Sequence, residues 1–239
     1  MQFLSVIIPI HDERDNLARL LPELDRALQA LAAPHEVIGV DDGSTDGSLE
    51  ELIRLRTEHP TLRIVSLDRR AGQSAALVAG FDAARGDVVV TLDADGQNDP
   101  ADIPRLLALL GSAGAPSAVV GFRIRRADSA WRRMQSRIAN RVRSWITGDR
   151  VRDTGCSLKA MRRSALMSLP RFDGMHRFLP ALIRLQGGTV LEAPVAHRPR
   201  WHGVSKYGML DRAARGLRDA LGVRWLARRA LKYEVRSEK

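Results

Sequence analysis

The sequence predicts an α/β fold, a mostly parallel sheet sandwiched by helices, and three observations carry that prediction. Apolar runs alternate with amphipathic stretches across residues 4–122, joined by short polar loops, which is the pattern of βα units. The runs Ser5-Val-Ile-Ile-Pro-Ile10 and Val88-Val-Val-Thr-Leu92 are continuously apolar rather than alternating, as in strands covered on both faces. Four successive runs end in polar clusters, His11 to Glu13, Asp41-Asp42, Arg69-Arg70 and Asp93 to Asp95. Open α/β sheets bind their ligands at such strand ends, so the four clusters should converge on one crevice.

Taken in order, Leu4 to Ile10 is the first strand. A helix follows with Leu17, Leu20, Leu21, Leu24, Leu28 and Leu31 at helical spacing, and Asp15 is its expected N-cap. Glu36 to Val40 is a second strand, and Leu49, Leu52 and Ile53 mark the next helix. Leu62 to Leu67 is a third strand, after which Arg69 to Ser74 opens a small-residue helix over 75–84. Val88 to Leu92 is the fourth strand; Ile103 to Leu110 reads as helix and Ser117 to Phe122 as strand. Beyond it, Trp131, Met134, Ile138, Val142, Trp145 and Ile146 form an apolar stripe flanked by Arg132, Arg133, Arg137, Arg141 and Arg143, a basic amphipathic helix. The arginines also fit an ordinary solvated helix face, and the tryptophans fit packing or membrane contact. Asp153 to Lys159 is a loop running into an extended piece. Phe178 to Leu185 reads as helix, Thr189 to Ala196 as strand, and His197 to Tyr207 as a basic loop. The tail, with Leu210, Leu217, Leu221 and Trp225 on one side among arginines, is a second basic amphipathic helix over 209–232, weakened by Gly216 and Gly222.

Composition bounds the function. With 44% hydrophobic residues, 239 positions are enough for one large domain or one domain with an appendage. Cys156 is the only cysteine, so no intrachain disulfide forms, a reducing compartment is the default, and a small core residue is its simplest role. The amino terminus lacks the basic and cleavage features of a signal peptide, and no apolar run reaches the 18 or so residues that span a bilayer. Together these features predict a cytoplasmic protein. The net charge of +10 is unevenly placed: residues 1–116 carry 10 basic and 19 acidic side chains, whereas 117–239 carry 28 basic and 9 acidic. A half at −9 is thus joined to a half at +19, and nucleic acid, anionic lipid or a phosphorylated substrate could each answer the second. Aromatic content of 5% and the lack of a recognition-fold signature argue against nucleic acid. No Gly-x-Gly-x-x-Gly follows the first strand, which excludes a dinucleotide-binding unit, and no P-loop is present.

Asp93 and Asp95 emerge one residue apart at the end of a buried strand, with the Gln97 amide oxygen two residues on. An all-oxygen set suits Mg²⁺ or Mn²⁺ rather than zinc, and two or three protein oxygens leave coordination sites for a diphosphate. The tripeptide alone is equally a solvated turn; its neighbours at the other strand ends favour the metal site.

Four stretches carry a further resemblance: Ser5 to Glu13 (Ser-Val-Ile-Ile-Pro-Ile-His-Asp-Glu), Val40 to Asp46 (Val-Asp-Asp-Gly-Ser-Thr-Asp), Ala71 to Leu77 (Ala-Gly-Gln-Ser-Ala-Ala-Leu) and Leu92 to Gln97 (Leu-Asp-Ala-Asp-Gly-Gln). They resemble glycosyltransferase family 2, whose fold is GT-A, and the likeness covers about residues 3 to 207. Val120 to Arg123, Ser136 to Asn140, Asp153 to Ser157 and Gly203 to Lys206 resemble its polyprenyl-phosphate branch, the dolichyl-phosphate mannose synthase type. The resemblance implies one domain over 1–207, with a nucleotide-sugar and metal half (1–116) and an acceptor half (117–207), followed by the helical tail 208–239. Pro9, His11, Glu13 and Asp41 would line the nucleotide pocket, with Asp41 accepting from base N–H groups. Asp93, Asp95 and Gln97 would hold the metal that bridges the donor diphosphate, and Ala94 would line the donor site. Arg123, Arg133 (or its neighbour Arg132) and Ser136 would bind the acceptor phosphate, and Arg200 and Lys206 would close over donor or acceptor phosphates. His11 stands where many relatives have tyrosine or phenylalanine, and Phe122 where serine is typical. The implied reaction moves a sugar of mannose or glucose type from a GDP- or UDP-sugar to a polyprenyl phosphate, with inversion. A saccharide hydroxyl acceptor is the alternative, with Asp153 as base rather than as structural cap. The basic stretches 131–146 and 209–232 would hold the chain at the inner face of the cell membrane, against anionic lipid or a separate membrane protein.

Overall fold

The computed structural model describes residues 3–31, 33–123, 148, 151–201 and 209–229, the last segment with side chains from residue 216 onward. The strands are β1 Leu4–Ile10, β2 His35–Asp41, β3 Leu62–Ser66, β4 Val88–Thr91, β5 Ala118–Arg123, β6 Lys159–Arg162 and β7 Val190–Val195. The helices are α1 Arg14–Gln29, α2 Ser48–Leu55, α3 Gln73–Ala83, α4 Ile103–Leu110, α5 Arg163–Met167, α6 Leu179–Leu185 and α7 Met209–Arg229. No helix among the described residues is long and apolar enough to cross a membrane.

The seven strands among the described residues join one sheet in the order β3-β2-β1-β4-β6-β5-β7. β1 pairs in parallel with β2 and β4, β2 with β3, and β5 with β7. The expected mostly parallel sheet is therefore present, with β6 as its antiparallel member between β4 and β5. Pairing Thr91 with Lys159 sets the loop after β4 beside the loop before β6.

Successive residues of β1 feed two cores. Val6, Ile8 and Ile10 pack with Leu17, Leu20, Leu21 and Leu24 of α1 on one face. Ile7 packs with Val40, Phe81 and the Phe178 to Leu182 segment on the other. Side chains alternate across a strand, so a sheet covered on both sides requires an unbroken apolar run, which is what the sequence has. Helix α3 is built of small residues because it lies tight on the sheet. A Cβ at Gly80 would sit 2.4 Å from Ile7 Cγ2.

One local expectation is corrected. Helix α1 starts at Arg14 with Glu13 at the N-cap, so Asp15 lies inside the first turn, where its charge favours the helix dipole. The extended piece expected after the 153–159 loop is the paired strand β6, followed at once by the short helix α5.

Candidate active site

The ends of β1 and β2 are laced together by side chains that accept from backbone N–H groups. Ser44 Oγ accepts from the Asp12 N–H at 3.0 Å, Asp12 Oδ1 from the Thr45 N–H at 2.8 Å, and Ser48 Oγ from the Glu13 N–H at 3.0 Å. Asp42 reaches the loop after β3, accepting from the N–H groups of Ala71 (2.6 Å) and Gly72 (2.9 Å). Gly43 makes that approach possible: at φ +62, a Cβ there would fall 2.5 Å from the Arg70 backbone nitrogen. Asp41 is buried and accepts weakly from the Ser44 N–H (3.3 Å) and Ser66 Oγ (3.5 Å). Pro9 is half-buried beside Val40 in the β1–β2 register, and His11 Nε2 lies 3.5 Å from Asp12 Oδ2.

The loop after β4 carries Asp93, Ala94 and Asp95. Asp95 and Ala94 are buried; Asp93 is half-buried. The Gln97 N–H donates to Asp95 Oδ1 at 3.0 Å, and the Gln73 side-chain amide at the start of α3 donates to Asp93 Oδ1 at 3.0 Å. Burial, and then the neighbouring charge of Asp95, push the Asp93 carboxyl up to about 6. Segment 196–201 runs across this loop. Arg198 N–H donates to the Gln97 carbonyl at 2.8 Å, its guanidinium pairs with Glu23 (2.7 Å) and Asp99, and the Trp201 indole covers Gly96. Arg200 then extends into the crevice, 2.8 Å from Asp95 Oδ2 and 3.4 Å from Glu13 Oε1.

Beneath these groups lies a polar floor. Lys159 is buried and donates to the Cys156 carbonyl; desolvation lowers its affinity for a proton, opposed by its neighbours Cys156, Asp93 and Asp153. Asp153 is buried and holds Arg123 through two side-chain bonds, 2.7 Å from Nε and 2.9 Å from Nη2. His176 Nδ1 lies 2.7 Å from Ser74 Oγ, and burial, reinforced by Arg177 and Lys159, drives that imidazole down to about 3, so it is neutral at pH 7. Cys156 belongs to the core, as its size suggested.

The structure thus brings Glu13, Asp95 and Arg200 together, with Asp93, Ala94 and Gln97 on the same loop and Pro9, His11 and Asp41 on adjacent strand ends. Arg123 stands at the end of β5, engaged with Asp153. Arg132, Arg133, Ser136, Lys206 and the stripe 131–146 lie outside the described residues. Sequence reasoning put Asp42 at the crevice without a partner and gave no role to Gln73, Arg198 or Trp201. Asp42 and Gln73 sat inside motifs already singled out; no local pattern marks what the other two touch. Among the described residues no three His, Cys, Asp or Glu side chains form a metal cage, so a metal would rest on the Asp93–Asp95 pair plus an amide oxygen.

This fold is that of GT-A glycosyltransferases. Glucosyl-3-phosphoglycerate synthase from Mycobacterium tuberculosis, solved with Mn²⁺ and UDP-glucose, superposes with a TM-score of 0.71 at 21% identity, over 93% of this chain and 79% of that one. The family model for glycosyl transferase family 2 matches residues 5–169, and the chain belongs to that family. Among curated relatives, the undecaprenyl-phosphate 4-deoxy-4-formamido-L-arabinose transferase of Edwardsiella ictaluri is 39% identical over 213 residues, 88% of this chain and 64% of that protein. The dodecaprenyl-phosphate galacturonate synthase of Rhizobium johnstonii is 38% identical over 229 residues, 94% and 67%. The chain therefore spans about two thirds of the length of these relatives.

Proposed function

We propose that the chain transfers a sugar from a GDP- or UDP-sugar to the phosphate of a polyprenyl phosphate, with inversion, at the cytoplasmic face of a membrane. The observation that carries this reading is the Asp93–Asp95 pair in the loop after β4, two carboxylates one residue apart at a strand end, with Arg200 brought in from a distant segment to 2.8 Å from Asp95. Crowded carboxylate oxygens fit a hard dication, so Asp93, Asp95 and Gln97 would hold Mg²⁺ or Mn²⁺. Such an ion supplies Lewis-acid stabilisation of the departing nucleoside diphosphate.

The chain's own groups do the rest. Asp41 would accept from the base, with Pro9, His11 and Glu13 lining the nucleotide. Arg200 and Lys206 would set their charges on phosphate oxygens, a match that suits a planar guanidinium in particular. Arg123, Arg133 and Ser136 would position the acceptor phosphate. A phosphate monoester, with a second pKa near ~6, is already an anion at pH 7 and needs placement more than a base. On this reading Asp153, bonded to Arg123 through both carboxylate oxygens, is a structural partner, and the saccharide-hydroxyl acceptor that would need it as a base is the second choice.

The resemblance favours a mannose or glucose donor, whereas the relatives are named for formamido-arabinose and galacturonate. The test is therefore a donor panel. Labelled UDP-glucose, GDP-mannose, UDP-galacturonate and UDP-formamido-arabinose are each incubated with protein, Mg²⁺ or Mn²⁺ and undecaprenyl phosphate. One of them should deliver label to the organic phase. Label reaching only a saccharide acceptor would overturn the proposal.

A further inference from the structure

Helix α7 has two differently built faces. Ala220 and Val223 are buried against the second core, and Asp219 faces the same body, its carboxylate 3.7 Å from the Arg177 guanidinium and packed on Gly174. On the outer face Leu217, Leu221 and Trp225 recur every four residues and so stack on one side of the helix. They are 49%, 54% and 59% exposed, which makes them the three most exposed large apolar side chains among the described residues. Arg218, Arg228 and Arg229 are exposed beside them, and the Arg229 guanidinium sits 5.7 Å from the Trp225 ring centroid.

Charge is thus sorted by face. Between residues 216 and 229 the one acidic side chain, Asp219, is turned inward, while the outward arginines frame an apolar stripe. A helix face meant only for water has no use for three large apolar groups in a row, and one meant for a protein core excludes unpaired arginines. Both requirements are met by a bilayer interface with anionic headgroups. Leucine and tryptophan enter the acyl boundary, and arginines stay level with phosphates. We propose that the Leu217–Leu221–Trp225 face of α7 docks on an anionic lipid bilayer. The proposal rests on the polyprenyl-phosphate reading for its biological sense, since such an acceptor lies in a bilayer, but its physical evidence is separate.

The test is flotation with vesicles of phosphatidylglycerol and phosphatidylcholine, against vesicles of phosphatidylcholine alone, with no donor present. The wild-type chain should float with the anionic vesicles at physiological salt and stay behind with neutral ones. The Trp225 contribution to fluorescence, isolated by difference from Trp225→Phe, should shift to the blue. Arg228→Ala/Arg229→Ala should weaken partitioning about thirtyfold, from roughly 1 kcal/mol per basic residue at an anionic surface. Leu221→Glu/Trp225→Glu should abolish it; all four positions are exposed, so circular dichroism should stay unchanged. Transfer to a short-chain polyprenyl phosphate in detergent should survive both double variants. Wild-type protein that ignores anionic vesicles overturns the proposal, as does a Leu221→Glu/Trp225→Glu variant that floats normally. A dimer in light scattering that these substitutions dissolve would reassign the face to a second copy. Vesicle binding without any transfer activity would instead sink the functional reading and leave the docking face standing.

Discussion

Gly96 separates the proposed metal ligand Asp95 from Gln97, and its replacement by alanine probes how tightly segment 196–201 closes the site. Its φ of +73 lies in the left-handed region, where an alanine is strained by about 1 kcal/mol. An added Cβ would also meet Trp201 at 2.2 Å (Cδ2), 2.4 Å (Cε3) and 2.5 Å (Cε2). Moving the indole aside would also disturb the Arg19 guanidinium, which lies 4.0 Å from its centroid. Forcing such an overlap costs about 1–3 kcal/mol. Gly96→Ala should therefore destabilise by about 2–4 kcal/mol, a fall in melting temperature of about 5–15 °C for a chain of this size. Because Arg200 adjoins Trp201, the KM for the sugar nucleotide should rise as well. In a Trp201→Ala background the steric part disappears and only the backbone strain of about 1 kcal/mol remains. Thermal melts of the four proteins in that cycle measure the difference. Equal losses in both backgrounds would refute the idea that Trp201 locks the loop.

Three further outcomes follow from the same geometry. Burial acts to raise the Glu36 carboxyl, but Ser5 Oγ, the Arg85 N–H and Arg63 together hold it below its usual range. Its contribution is therefore present above the unfolded pKa of about 4.3 and fades as pH falls through the lower folded value. Glu36→Gln should cost about 1–3 kcal/mol at pH 7, shrinking towards zero in acid, and urea midpoints against pH would show a flat difference if this is wrong. Asp153→Asn breaks a buried pair and should lower stability by about 2–4 kcal/mol while leaving measurable transfer; a thousandfold loss of kcat in a protein that melts normally would restore Asp153 as a base. Arg200→Ala removes a charge-assisted partner worth about 1.5–3 kcal/mol, so donor KM should rise about tenfold or more, and an unchanged KM would take Arg200 out of the phosphate site.

Much of this was legible in the chain because a doubly covered sheet imposes a simple rule on its strands. Residues 4–10, Pro9 apart, and 88–91 are buried, and an unbroken apolar run has few other uses. Strand β6 escaped that rule. Its four residues are Lys-Ala-Met-Arg, and only its neighbours β4 and β5 make Lys159 an interior residue. The strand-end carboxylates announced themselves by position, but their partners did not. Arg200 reaches Glu13 across 187 positions and Arg198 reaches Glu23 across 175. Asp153 shows the same limit from the other side. Its place in a loop left cap and base both open, and no local pattern foretold its two bonds to Arg123.

The central claim is that Asp93 and Asp95 hold a dication which in turn holds the donor diphosphate. Calorimetric titration of UDP into the protein, with Mn²⁺ and with chelator, tests it without requiring the right sugar or lipid. Binding that appears with Mn²⁺, weakens at least tenfold with chelator, and is lost in Asp95→Ala of unchanged melting temperature is the predicted result. UDP binding equally tight in chelator, or untouched by Asp95→Ala, would contradict it.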